Sequence, residues 1–394
     1  MTMHLVLAAK LAWSNTTANW QRLFVRCSGV TFAVVLMFMQ TGFRNALFDS
    51  NVRIMEAKIS ADIVIRIKSR FMLSSGQQMP LQKVIEARSC EGVAAAEPLY
   101  IENVMSQWHR EGMPKRKIRV LGFDPAHDMF SGFGLGRRAH ELSRASTAAA
   151  DVKSKSMFRL PRTGEQLKAN PFGELLGKQL ELVGLFESGI NFSNDGTLAM
   201  TPQNFARYFD LRGGGEPLAK VDYGVVRCKP NASPEVVVGR LQSMLGEHVI
   251  VQTCEDFLNS ERNFWGKNTP IGLIFRVGTL IGFVVGLIIC YQVLATDIAD
   301  QMGEFATLKA MGYPTRFFAT VVICQALILS AVSFLPGLLI TLCAFGMVNF
   351  GTGLLMFLNV PRASVVLGLT VLMCVISAMI ALRKLLSADP ASLF

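Results

Sequence analysis

The chain has 394 residues, of which 51% are hydrophobic and only 17% charged, and its mean hydropathy is +0.36. This excludes an ordinary soluble globule, because the apolar excess is gathered into a few blocks long enough to enter a bilayer. The formal charge of +10 does not indicate nucleic-acid binding: the basic residues are scattered, carry no nucleic-acid motif, and suit the flanks of membrane spans.

Residues 1–22 hold Lys10 and Arg22, no acid, and Trp13 and Trp20 among apolar neighbours, which suits an amphipathic helix on the cytoplasmic membrane surface. A cleavable signal peptide fits less well, since the apolar run begins only after Arg22 and Arg26 and no small-x-small site follows it. The first span is expected over 23–45, close to the ~20 residues that a hydrocarbon core requires, with Arg26 snorkelling back to the inner interface.

Residues 46–267 are long enough for a domain of their own. Ile63–Ile67, Ile118–Gly122, Leu180–Val183, Tyr223–Val226 and Val249–Val251 read as strands, and 81–87 and 234–245 as helices, the second with Ser233 as N-cap and Pro234 at its first position. The expected class is α+β. Residues 136–170 are polar, rich in Ala, Ser, Arg and Lys, and poor in aromatics, and read as a mobile insertion. Glu255–Lys267 reads as a helical stalk leading to the second span.

That span is expected over 268–296. Gly278, Gly282 and Gly286 recur at every fourth position, two overlapping GxxxG patterns that admit a close helix neighbour, either another span or a second copy. Arg276 in the same span is expected to snorkel outward, the alternative being that it lines a polar path. A polar island, 297–313, follows and reads as one short amphipathic helix. Asp297, Asp300, Gln301 and Glu304 share a face at i, i+3, i+4, i+7; Ile298, Met302 and Phe305 line the next face; and Gly312 before Tyr313-Pro314 marks the stop. The run 316–350 is too long for one upright span and contains Pro336-Gly337, so a single long kinked helix is expected. The last span covers 362–384, ends on Arg383-Lys384, and is followed by a tail at 385–394.

The predicted fold is therefore an α-helical membrane protein with four transmembrane helices and an α+β extracytoplasmic domain inserted between helices 1 and 2. The basic, acid-free N-terminal segment and Arg383-Lys384 place both termini, and with them the island, in the cytoplasm.

Other signals carry less. Leu73-Ser-Ser-Gly-Gln77 resembles an ATPase signature loop, but no GxxxxGK[ST] phosphate loop accompanies it. The five His residues show no metal-type pairing, and GxSxG is absent. None of the eight Cys forms CxxC; Cys90, Cys228 and Cys254 lie in the domain, so at most one disulfide fits there.

Asp297–Tyr313, Gln325-Ala-Leu-Ile-Leu-Ser330, Phe334-Leu-Pro-Gly337 and the tail Arg383–Pro390 resemble the DevC family, permease subunits of cyanobacterial ABC exporters related to the MacB, LolC and FtsX permeases. Phe38–Phe43, Ala61–Val64, Pro98–Tyr100, Leu121–Pro125 and Asn268–Gly272 extend the likeness over most of the chain, and it is weakest in 136–170 and 186–218. The resemblance implies a non-catalytic inner-membrane subunit, multi-pass and homodimeric, with ATP and Mg bound by a separate ABC ATPase subunit and no cofactor on this chain. It implies that 297–313 is the coupling helix, in which Asp297, Asp300, Gln301, Met302, Glu304, Phe305, Leu308, Lys309 and Gly312 meet the ATPase. It further implies a periplasmic adaptor (membrane fusion protein), a TolC-like outer-membrane channel, and a lipid, glycolipid or other amphiphile as cargo. Gly278, Gly282, Gly286, Pro336 and Gly337 are the expected transmembrane packing positions. Two other classes compete: an FtsX-like platform that regulates a periplasmic cell-wall hydrolase, and a receptor with a ligand-binding outer domain.

Overall fold

The computed structural model describes residues 10–14, 20–191, 193–352 and 356–386. They fall into two compact units, Met1–Ala46 with Pro270–Phe394, and Leu47–Thr269. Of the predicted surface helix only 10–14 and the start of α1 are described, both helical, and most of the tail lies outside the described residues.

The first unit is helical. Among the described residues four helices are long and apolar enough to cross a membrane: α1 (Trp20–Lys58) and three later helices spanning Pro270–Asp300, Thr315–Thr352 and Val360–Leu386. Helix α1 does not stop at 45: residues 44–58 contain no Pro or Gly and mix charged and apolar residues, so the ladder runs on and 47–58 become the first element of the other unit. Thr315–Thr352 is one unbroken 38-residue helix with Pro336 inside it.

The second unit is built on a sheet of eleven strands. Its organising part is a pair of interleaved βαβ units. The first is β1 (Ile63–Ile67), α2 (Gln82–Arg88) and β3 (Val93–Glu102). The second is β12 (Tyr223–Cys228), α6 (Pro234–Leu245) and β13 (Val249–Thr253). They lie in the order β13-β1-β12-β3 with every neighbour antiparallel, so each βαβ unit straddles a strand of the other. Val64 illustrates the register: it sits opposite Val225 on one side and Gln252 on the other. A short ladder, β2 (Met79–Pro80) with β11 (Lys220–Val221), closes the loop after β1.

Apart from β11, the strands between β3 and β12 extend the same sheet. The added elements are β4 (Gln107–His109), β5 (Arg116–Lys117), β6 (Arg119–Gly122), α3 (Ala139–Leu142), β7 (Thr147–Asp151), α4 (Gly164–Ala169), β8 (Phe172–Leu175), β9 (Lys178–Phe186), β10 (Thr197–Met200) and α5 (Pro202–Tyr208). From β3 outward the order is β6-β10-β7-β9-β8-β4-β5, with β6/β10 and β7/β9 parallel. Period-two alternation divides two cores across the sheet. Ile63, Ile65, Val120, Ala148, Ala150, Leu198 and Val226 share one core with Val84, Phe205 and Leu241 from the covering helices. Val64, Leu121, Ala149, Ala199 and Val225 share the other with Val52 and Met55 of α1, with Phe130 and Phe133, and with Phe257 and Leu258.

The expectation of a mobile insertion at 136–170 is therefore wrong. Strand β7 is buried along its whole length between β10 and β9. Its run of alanines carries weak strand propensity, which hid it, but small side chains are what the packing requires: a Cβ on Gly184 would already lie 3.2 Å from that of Ala149. Two smaller expectations also change. Ser233 occupies the N-cap position of α6 without capping it; its hydroxyl donates to the Glu235 carboxylate instead. The predicted stalk is α7 (Cys254–Lys267), capped by Thr253, whose hydroxyl accepts from the Asp256 N–H at 3.1 Å. All eight cysteines are free thiols.

Candidate coupling site

The island is not one helix. Its first residues, through Asp300, are the end of α8 (Pro270–Asp300); Gln301 is a turn; and a separate α9 (Met302–Ala310) follows. The predicted common face of Asp297, Asp300, Gln301 and Glu304 is thus broken at Gln301. The side-chain amide of Gln325 in α10 (Thr315–Thr352) donates to Gln301 Oε1 at 2.9 Å, so a buried glutamine holds the corner. The predicted stop is correct in detail. Gly312 has φ 91°, and the Tyr313 N–H reaches back to the Leu308 carbonyl at 3.2 Å, the long hydrogen bond of a Schellman cap. Tyr313 then packs on Phe317, with ring centroids 4.8 Å apart.

The island residues sort into inward and outward sets. Asp297 is buried and lies 2.5 Å from Arg26 Nε, with both side chains largely out of solvent. Arg26 is thus engaged by a carboxylate of α8, and Asp297 faces α1. Asp300 is exposed and borders a cleft of ≈ 490 Å³ lined also by Gln21, Val25, Gln292, Val293, Thr296 and the Arg26–Asp297 pair itself. Met302 is half-buried, and Leu308 packs on the helical bundle's own core, so Leu308 is not offered outward. Among the described side chains, the outward face of α9 and its cap presents Gly303, Glu304, Thr307, Ala310, Met311 and Gly312. Met311 is 62% exposed and was missed by sequence reasoning; its position at i+7 from Glu304 was the available signal. The side chains of Phe305 and Lys309 lie outside the described residues.

The packing positions explain how this corner is held. An added Cβ on Gly278 would lie 2.8 Å from Gln40 Oε1, and one on Gly286 would meet Ala33 at 2.8 Å and collide with Met373. Gly282 is looser, 4.0 Å from Met37. The glycine face of α8 is therefore filled from within this chain, by α1 and by α11 (Val360–Leu386). An added Cβ on Gly337 would lie 2.7 Å from Val34, and next to it the Thr31 hydroxyl donates to the Ser333 carbonyl at 3.1 Å. The Ser377 hydroxyl donates to the Leu287 carbonyl at 2.8 Å, tying α11 to α8. Backbone-directed bonds of this kind substitute for the missing hydrophobic drive between helices in lipid. Arg276 is exposed on α8.

Residues 276–390 match the family model described as FtsX-like permease C-terminal, which takes in nearly all of α8 and the whole of α9, α10 and α11. No curated protein matches the chain. Among solved structures, the chain is similar to the periplasmic region of MacB from Actinobacillus actinomycetemcomitans, at 12% identity and a TM-score of 0.36, over 53% of this chain and 96% of that one. It is also similar to the extracellular domain of the noncanonic ABC-type transporter YknZ from Gram-positive bacteria, at 8% identity and a TM-score of 0.34, over 49% and 98%.

Proposed function

We propose, from the FtsX-like permease C-terminal domain that residues 276–390 form, that this chain is the membrane subunit of an ABC-type exporter of the DevC kind. It hydrolyses nothing itself. A separate ATPase subunit binds ATP and Mg and docks on the outward face of α9, where Glu304 supplies charge and Met311 supplies an apolar knob, while Asp300 borders the adjoining cleft. The observation that carries the reading is the coincidence of the family match with this corner, a short helix whose inward side is fixed by Leu308, Gln325 and Tyr313 and whose outward side is exposed.

In this reading the chain works as a homodimer in the inner membrane with both termini in the cytoplasm. Closure of the ATPases pushes α9, the bundle conveys the push along α1 and α8, and the Leu47–Thr269 domain acts with a periplasmic adaptor and a TolC-like channel on a lipid, glycolipid or similar amphiphile. The test is reconstitution with the ATPase that co-purifies with it. Glu304→Lys with Met311→Asp is expected to abolish stimulation of ATP hydrolysis while leaving membrane insertion unchanged. Full stimulation by that variant would refute the docking face. Mass spectrometry of the co-purified material separates the export reading, which expects adaptor and channel, from an FtsX-like platform, which expects a cell-wall hydrolase.

A further inference from the structure

The Leu47–Thr269 unit buries five charged side chains in one connected group: Arg70 and Asp222 at 0% exposure, Glu261 at 2%, Arg212 at 3% and Glu102 at 6%. We infer that they form a latch that ties the position of α7 to the loop after β3 and to the apolar tip which that loop carries.

The connections can be followed atom by atom. Glu261 lies on α7. Its Oε1 accepts the Leu73 N–H at 2.9 Å and the Trp265 indole N–H at 3.1 Å. Beside it, Phe71 stacks on Phe264 of the same helix, with centroids 6.4 Å apart and planes 11° from parallel. The loop after β1 is thereby fastened to α7. Arg70 grips that loop from inside, donating to the Leu73 carbonyl at 2.9 Å and the Gln77 carbonyl at 2.5 Å. The same guanidinium pairs with Asp222 Oδ1 at 2.7 Å and lies 4.5 Å above the Tyr223 ring. The second oxygen of Asp222 accepts the Ile101 N–H at 2.7 Å and pairs with Arg212. Arg212 Nε is 3.9 Å from Glu102 Oε2, and the other oxygen of Glu102 accepts the N–H groups of Val104 and Met105 at 2.8 and 3.0 Å. Val104 and Met105 are 63% and 49% exposed, and Leu211, adjacent to Arg212, is 84% exposed. Val104 and Met105 therefore stand in solvent on backbone held by the last link of the chain.

Stiffness is the reason to regard this as more than a set of satisfied charges. Apolar contacts between a helix and a sheet are non-directional and can be remade after a small shift. A buried carboxylate or guanidinium that loses a partner is left unsatisfied in a low-dielectric interior, which is costly enough that the partner follows instead. A displacement of α7 by about the length of a hydrogen bond must therefore drag the 71–77 loop, then Asp222, then the 102–105 loop. A displacement of the 102–105 loop is felt at α7 by the same route. The inference rests on the geometry of this unit alone and does not depend on what α9 binds.

Amide-resolved hydrogen exchange on the full chain in nanodiscs tests it from both ends. Glu261→Met removes the acceptor at α7 and is expected to speed exchange at Leu73, and also at the distant Val104 and Met105 amides, at least tenfold, with Ala148–Ala150 of β7 unchanged. Glu102→Met is expected to speed exchange at Leu73 in return. If each variant loosens only the amides that its own carboxylate binds, or if the β7 amides accelerate equally, the latch does not exist. Should Glu261→Met fail to fold, Trp265→Phe, which removes one donor from Glu261, is read against the same expectations.

Discussion

Arg26 and Asp297 show what a single ion pair contributes inside an apolar bundle. Each charge alone would be costly in so largely buried a position; together, 2.5 Å apart, they fix α1 against the last turn of α8. Asp297→Leu leaves Arg26 without its carboxylate and is expected to cost about 3–5 kcal/mol, the range for removing one member of a buried pair. Arg26→Met combined with Asp297→Leu is expected to recover most of that loss, measured as thermal unfolding of the full chain in detergent. The sequence displayed both charges, yet it offered no way to pair residues so far apart in the chain, so snorkelling was the default for Arg26. Glu261 gives a second residue-level expectation. Burial raises its carboxyl above the usual value, only partly opposed by the Leu73 and Trp265 N–H groups and by Arg70 and Arg66. The folded state therefore holds this proton more tightly than the unfolded chain does. The stabilising contribution is fully present below the unfolded carboxyl value, roughly 4.3, and is lost as pH rises through the raised one. Glu261→Gln should flatten that part of the stability–pH curve, and a slope identical to the parent's would count against the assignment.

Among the elements, the helices were readable wherever a local signal ended them. Gly312 announced the end of α9 because a left-handed residue is required there, and Pro234 announced the start of α6. The break at Gln301 had no such signal: nothing in Asp300-Gln301-Met302 forbids a continuous helix, and the corner is set by Gln325 from a different helix. The glycine face of α8 was legible as a face but not as to its partner. The structure grades its members, which yields a testable contrast. Gly286→Leu would drive a side chain into Ala33 and Met373, and overpacking of this kind costs about 1–3 kcal/mol. Gly282→Ala has room beside Met37 and gains up to about 1 kcal/mol in helix propensity, so it should leave the melting temperature equal or raised. Equal losses for the two would show that α8 is not packed as described.

Taken whole, the molecule reveals how far local pattern carries a fold. Four apolar blocks gave the membrane helices, and the apolar strands β1, β12 and β13 were visible because Val and Ile alternate or cluster in them. Strand β7 was invisible, since Thr-Ala-Ala-Ala-Asp owes its place to neighbours that contact its small side chains on both faces. Deleting 140–165 is therefore expected to abolish folding of the Leu47–Thr269 unit, because it removes a strand from between β10 and β9 and opens both cores; retained expression and protease resistance would contradict this placement. The interleaving of the two βαβ units has a further consequence for biosynthesis. Strand β1 leaves the ribosome first among the strands, but its two flanks are β12 and β13, the last to be made. Ile63, Val64 and Ile65 must wait, unpaired and apolar, until Thr253 has emerged. The domain thus matures only after elongation has passed it, and during that interval a chaperone that captures extended apolar segments has its longest opportunity at the nascent strand nearest the membrane helix α1.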